Sequence, residues 1–391
     1  MKRYIAQAPK NYSEFAKEFN FELLRPYYDT ESKEVMERIA QYESYHKAMA
    51  YLWPEMSKEQ VIQKALNTKS PYEFQTGYMR DAIWKIVNST SSGLTWSGLE
   101  NLDRNGAYLY IANHRDILLD SAILQIILDK EEFETSEITF GSNLMDNGFI
   151  TDFGRMNRMF TVKREGTVKE LYDISRQLSA YIRHVIMDKN TSVWIAQRNG
   201  RTKDGNDITQ TGLLKMLNLS GDNDFIKSFT ELNIVPLTIS FEYEPCDHLK
   251  VQELYLATLH TKYVKAPGED LNSILTGVKQ PKGKIHVAFG KPIKDELNEI
   301  NKANNENEKI KLLASHIDKC IYQGYKLNPV NYIAYDLLNK TNVFENNYNS
   351  QEKGDFLNYI DQKIKNMTGE PEVLKNIFLT LYANPVVNKL H

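Results

Sequence analysis

Read from the N-terminus, the chain first shows apolar residues on a helical period. Between Glu31 and Met49, the residues Val35, Met36, Ile39 and Met49 recur among charges, and Trp53-Pro54 stops the run. Ser57 opens the next helix, with Gln60 three residues on to complete a capping box. A third helix is expected over Tyr72 to Val87, with Phe74, Met79, Ile83, Trp84 and Val87 as its apolar side.

From Gly93 short apolar runs begin to alternate with helical stretches. Strands are expected at Ala107–Ala112, Ser136–Phe140, Met159–Val162, Thr191–Ala196, Ile234–Tyr243 and Lys284–Phe289. Helices are expected at Asp116–Leu128, Val168–Met187 and Gly212–Leu217. This alternation predicts an α/β fold, a mixed and mostly parallel sheet flanked by helices. The polar run Glu296–Lys309 reads as a solvated connection or a polar helix start. Lys311–Tyr325, Tyr332–Leu338, Asp355–Met367 and Pro371–Tyr382 then read as helices. The organisation expected is a helical N-terminal extension (1–90), an α/β core (91–297) and a helical C-terminal extension (298–391).

Composition adds exclusions. The 391 residues are 41% hydrophobic and 25% charged, ordinary for a globular chain. Lys and Arg number 48 against 51 acidic residues, which argues against nucleic acid as a partner. Cys246 and Cys320 are far apart and form no C-x-x-C pair, so neither a disulfide scaffold nor a structural zinc site is expected, and a reducing cytoplasm is the natural compartment. The apolar run Ser121–Leu128 falls well short of the roughly 20 residues a membrane helix needs. A soluble or peripheral protein is expected.

Five segments carry candidate chemistry. Asn113-His114-Arg115-Asp116-Ile117-Leu118-Leu119-Asp120 follows a strand and opens a helix. A neutral imidazole there can accept a hydroxyl proton near neutral pH, and a carboxylate on its other nitrogen fixes the tautomer. On this segment alone the commoner reading is simpler: Asp116 caps the helix and His114 is a loop residue. Of the two carboxylates, Asp120 is the better partner for His114, because a cap's side chain is already occupied. Lys163-Arg164 end the strand Met159–Val162 and could grip a phosphate, though a solvated charge pair is commoner. The third segment, Gln197-Arg198-Asn199-Gly200-Arg201-Thr202-Lys203-Asp204-Gly205, places three cations and two glycines directly after a strand. The glycines let backbone N–H groups approach an anion, though on its own the segment reads slightly better as a basic surface turn. Ile234–Ile239 and Gly283–Ile293 read as buried strands, the second with a Gly-Pro exit and with His286 as a structural residue. Cys246 is expected in a loop without a partner, and a nucleophilic role for it is not expected.

The order of these segments resembles the conserved blocks of the phospholipid/glycerol acyltransferase superfamily, over roughly residues 93 to 295. It is similar to the lysophosphatidate and bacterial glycerol-3-phosphate acyltransferases. Arg25-Pro26-Tyr27-Tyr28-Asp29 and Gly93–Leu102 further resemble a bacterial subgroup of generic acyltransferases. The resemblance implies that His114 is the general base, that its Asp orients it, and that Arg164 and Arg201 bind the acceptor's phosphate with Lys163 and Lys203 in support. Two departures stand out. The family's carboxylate slot would be Leu119, flanked here by Asp116 and Asp120, and the third block lacks the family's Glu.

The implied reaction is attack of an acceptor hydroxyl on an acyl thioester without an acyl-enzyme, with backbone N–H groups near Gly200 receiving the developing oxyanion. No metal or redox cofactor is implied. The implied donor is acyl-CoA or acyl carrier protein, and the implied acceptor a glycerol phosphate or an anionic lipid. Peripheral contact at the inner face of the membrane would follow. The departures keep two alternatives open: an acyltransferase for an amino-acid-lipid acceptor, and a catalytically silent lipid-binding homologue.

Overall fold

The computed structural model describes residues 19–141, 148–162, 166–259, 263, 265–266 and 268–390. Seven strands form one sheet: β1 (Ser91–Ser97), β2 (Leu109–Ala112), β3 (Glu137–Gly141), β4 (Met159–Val162), β5 (Val193–Ala196), β6 (Ile234–Phe241) and β7 (Gly283–Phe289). Their order is β1-β7-β6-β2-β5-β3-β4. The five strands from β6 to β4 run parallel, β7 is antiparallel to β6, and β1 is parallel to β7. The fold is the mixed, mostly parallel α/β architecture that the alternation of elements predicts.

The sheet is buried on both faces, and side chains sort by the period of two. On β2, Tyr110 and Ala112 join one apolar cluster while Leu109 and Ile111 join the other. The first cluster packs the sheet against the helices before β1 and against Leu119–Lys130. The second packs it against Val168–Arg183, Thr211–Asn218 and Glu306–Gly324. A third cluster joins Asp247–Leu259 to Pro329–Asn339, Ser350–Ile364 and Pro371–Leu390.

Several elements differ from the sequence pattern. The helix expected over Glu31–Met49 is two helices, Ser32–Ile39 and Glu43–Leu52. Between them the chain turns around the buried Asp152, whose carboxylate accepts from Tyr42 at 3.2 Å and from both Tyr27 and Arg38. Edge strand β1 lacks a continuous apolar run, so the pattern hides it. The helices Gly148–Met156, Phe225–Thr230, Asp247–Leu259 and Glu269–Lys279 also escaped it. The last two lie between β6 and β7 and form one wall of the site described below.

His286 ties β1 to β7, contacting Thr95 Oγ1 at 2.8 Å and Ser97 Oγ at 3.1 Å. Burial pushes its imidazole down to about 4, and Lys326 and Lys389 add to the depression. Below the ordinary value of about 6.5, the unfolded chain takes up a proton that the folded chain refuses. The stability contributed here is therefore intact above about 6.5 and lost as pH falls toward 4. His286→Gln is expected to lose less stability than wild type between pH 7 and pH 5 in denaturant titrations. Equal losses would remove His286 from the acid response.

Candidate active site

His114 leaves the carboxyl end of β2, and the segment from Gln197 to Arg201 leaves the carboxyl end of its parallel neighbour β5. In α/β sheets, ligands bind beyond such ends, where successive connections run to opposite sides. The connection after β2 leads to β3, beyond β5, whereas the connection after β5 leads to β6, on the other side of β2. Backbone bonds bring the two loops together, with the Thr202 N–H donating to the His114 carbonyl at 2.8 Å.

The helix after His114 begins at Leu119, later than the Asp116 start read from sequence. Asp116 Oδ1 accepts from the backbone N–H groups of Leu118 and Leu119 at 2.9 and 2.8 Å, closing the turn that precedes the helix. That delay brings Asp120 into the first turn, where the helix dipole favours a carboxylate. Asp120 Oδ2 lies 3.0 Å from His114 Nδ1 and accepts from the N–H groups of Arg115 at 2.6 Å and Asp116 at 2.9 Å. Burial, and the Asp116 charge beside it, push the Asp120 carboxyl above the usual carboxylate range, while those N–H groups and Lys250 pull it down. The His114 side chain keeps 15% of its surface exposed and stands edge-on to Trp194, ring centres 6.0 Å apart.

Four buried charges surround this turn, and sequence reading singled out none of them. Arg115 donates to Asp207 Oδ2 at 2.6 Å, to the Gly205 carbonyl at 3.2 Å and to Glu244 Oε2 at 3.1 Å. Lys250 donates to Glu244 Oε1 and to the Arg115 carbonyl, both at 2.6 Å. Arg115 was visible beside His114, but its partners lie about 90 to 130 residues away, and no local pattern marks them.

The expected cation sites are placed unequally. Arg201 is 7% exposed, and its Nη1 has no hydrogen-bond partner among the described residues. It lies beside the Cys246 thiol, which burial pushes up to about 11, and which donates to the Ser273 carbonyl at 3.1 Å. Cys246 thus stands in a turn, as expected, but it is buried and has a partner, which the sequence did not predict. Gly200 takes a left-handed φ of +73° with open space where a Cβ would stand. Lys203 pairs with Glu253, and burial pushes its ammonium down to about 8, with Lys265 and Arg201 adding to the depression. Lys163 and Arg164 lie outside the described residues.

The site is braced from outside the sheet. Gly205 has φ +78°, and a Cβ there would stand 2.1 Å from the Leu381 carbonyl oxygen on the last helix. Asn384 on the same helix donates to the Asp204 carbonyl at 2.7 Å. Gly277, on Glu269–Lys279, packs against the Asp116 carboxylate so closely that a Cβ would meet Oδ2 at 2.2 Å. Among the described residues no helix is long and apolar enough to cross a membrane, and no group of three or more His, Cys, Asp or Glu is placed to hold a metal ion.

No curated protein matches the chain. Among solved structures, the 1-acyl-sn-glycerophosphate (LPA) acyltransferase PlsC from Thermotoga maritima is similar at 11% identity, over 74% of this chain and 94% of that one, with a TM-score of 0.39. Residues 93–240 match the family model described as Acyltransferase. That span runs from β1 into β6 and holds His114, Asp120 and Arg201. Over that span, and so over less than half of its length, the chain is similar to the acyltransferase family.

Proposed function

We propose that this chain is an acyltransferase that moves a fatty acyl group from a thioester, on coenzyme A or acyl carrier protein, to the hydroxyl of a glycerol phosphate or lysophospholipid, with His114 as general base. The observation that carries the reading is the 3.0 Å contact between His114 Nδ1 and a buried Asp120 carboxylate. With Nδ1 engaged, Nε2 is the atom that takes the hydroxyl proton. The acceptor oxygen then attacks the thioester carbonyl. As the C–S bond breaks, the leaving thiolate recovers the proton from the imidazolium, so one ester and one thiol are produced. Asp120 stabilises the transient imidazolium. Backbone N–H groups at the open turn around Gly200 would receive the oxyanion, and Arg201 Nη1 would meet the anionic headgroup.

The test is labelled acyl transfer from acyl-CoA and from acyl carrier protein to a panel of acceptors: glycerol 3-phosphate, lysophosphatidate, and an amino-acid lipid. Transfer to none of them would sink the reading. Arg201→Ala is expected to raise the acceptor KM about tenfold or more, because a hydrogen bond from a charged group contributes about 1.5–3 kcal/mol, and to leave the donor KM nearly unchanged. An equal effect on both substrates would count against headgroup binding. The same panel, with the lipid acceptors in vesicles, tests the peripheral membrane contact that such acceptors entail. Protein that fails to co-sediment with the vesicles would exclude it.

A further inference from the structure

Two successive peptide planes carry the turn from His114 to Asp116, and each is held at both ends. The first runs from the His114 carbonyl, which accepts from Thr202 N–H at 2.8 Å, to the Arg115 N–H, which donates to Asp120 Oδ2 at 2.6 Å. The second runs from the Arg115 carbonyl, which accepts from the Lys250 ammonium at 2.6 Å, to the Asp116 N–H, which donates to the same Asp120 oxygen at 2.9 Å. Because a peptide unit is planar and stiff, fixing its carbonyl fixes the direction of its N–H.

From this geometry we infer that Lys250 is a positioning residue for His114: its ammonium clamps the Arg115 peptide so that Asp120 is held against the imidazole. The inference rests on His114 acting as base. Lys250 is 1% exposed and Arg115 is fully buried, so the contact is made where water does not compete. A cation on a carbonyl also polarises the peptide, which strengthens the N–H that donates to Asp120. A role limited to neutralising Glu244 does not account for the arrangement, since Glu244 already receives the Arg115 guanidinium on its other oxygen. Other charges nearby include Asp207, which holds the far side of Arg115, Asp116 beside Asp120, and Lys203 and Arg201, whose positive charges lie within electrostatic reach of this cluster. Lys250 and Glu244 both lie beyond residue 240, where the family match ends, on the segment between β6 and β7. That segment therefore completes the machinery of the matched span.

The experiment uses the full chain and reads the His114 ring 15N shifts, assigned by their loss in His114→Gln. In wild type they are expected to report a proton on Nδ1. In Lys250→Met they are expected to move toward the values of an unconstrained imidazole. In the same variant, kcat for transfer from oleoyl-CoA to 1-oleoyl lysophosphatidate should fall about tenfold or more, since misplacement of a reacting group by about 1 Å costs up to 10²-fold. The KM values should stay within about threefold, because the clamp touches neither substrate. Wild-type shifts, or wild-type kcat, in a folded variant would overturn the proposal. If Lys250→Met does not fold, Lys250→Gln, whose shorter side chain falls short of the carbonyl, is read the same way. Failure of both to fold would assign Lys250 a structural role and overturn the proposal as well. The ring shifts need no substrate, so they test the clamp separately, whereas turnover retained by His114→Ala would sink the catalytic reading itself.

Discussion

His114→Ala is expected to lower acyl transfer at least about 10²-fold, the contribution typical of a positioned general base. The imidazole has its Nδ1 on Asp120 and part of its surface open at the carboxyl end of β2, so the variant loses the proton acceptor without opening a cavity in either apolar cluster. Its melting temperature should stay within a few degrees of wild type. Retention of more than about a tenth of wild-type turnover would show that another group takes the proton, and the reading of the site would fail.

Asp120→Asn and Asp116→Ala are expected to separate catalysis from capping. Asn at 120 still offers one oxygen to the Arg115 and Asp116 N–H groups, but it brings no charge to the imidazolium, so turnover should drop about 10²-fold. Stability should change little. Burial and the neighbouring Asp116 disfavour the Asp120 charge in the folded chain, and the substitution removes that charge. Asp116→Ala removes the acceptor for the Leu118 and Leu119 N–H groups, and loss of a cap costs about 1 kcal/mol. Its turnover should fall only several-fold. Melting curves and steady-state rates on the two variants decide the matter. The opposite pattern would make Asp116 the residue that orients His114.

Part of this site was legible in the chain because its signals are local. The apolar run Ala107–Ala112 followed by Asn113-His114 marks a strand ending on a polar loop, and cations and glycines packed after Trp194 mark an exposed turn. Which carboxylate reaches His114 depends on where the helix begins, and the start moved from Asp116 to Leu119. Three residues of helix phase, about 300° of rotation, decide which side chain faces the loop. The pattern favours Asp120 because Asp116 is occupied as a cap and because Asp120, one turn on, can face back to the loop if the helix starts late.

The rest depended on tertiary structure. β1 is nearly silent as a hydrophobic pattern, because an edge strand needs only one neighbour and finds it in β7, with Thr95 opposite His286. Arg115, Asp207, Glu244 and Lys250 would each be assigned to solvent on type alone, since lone charges are rarely fully buried. They are buried here because chain closure brings opposite charges and a backbone carbonyl within hydrogen-bond distance, which offsets their desolvation. By itself, then, the sequence determined the alternation of elements, the mostly parallel sheet flanked by helices and the loops at which His114 and Arg201 stand. Those features follow from side-chain period and turn chemistry within a few residues of chain. Only the folded structure decided how Asp120 meets His114 and what clamps the turn between them, because those contacts form between segments whose distance in space no local pattern records.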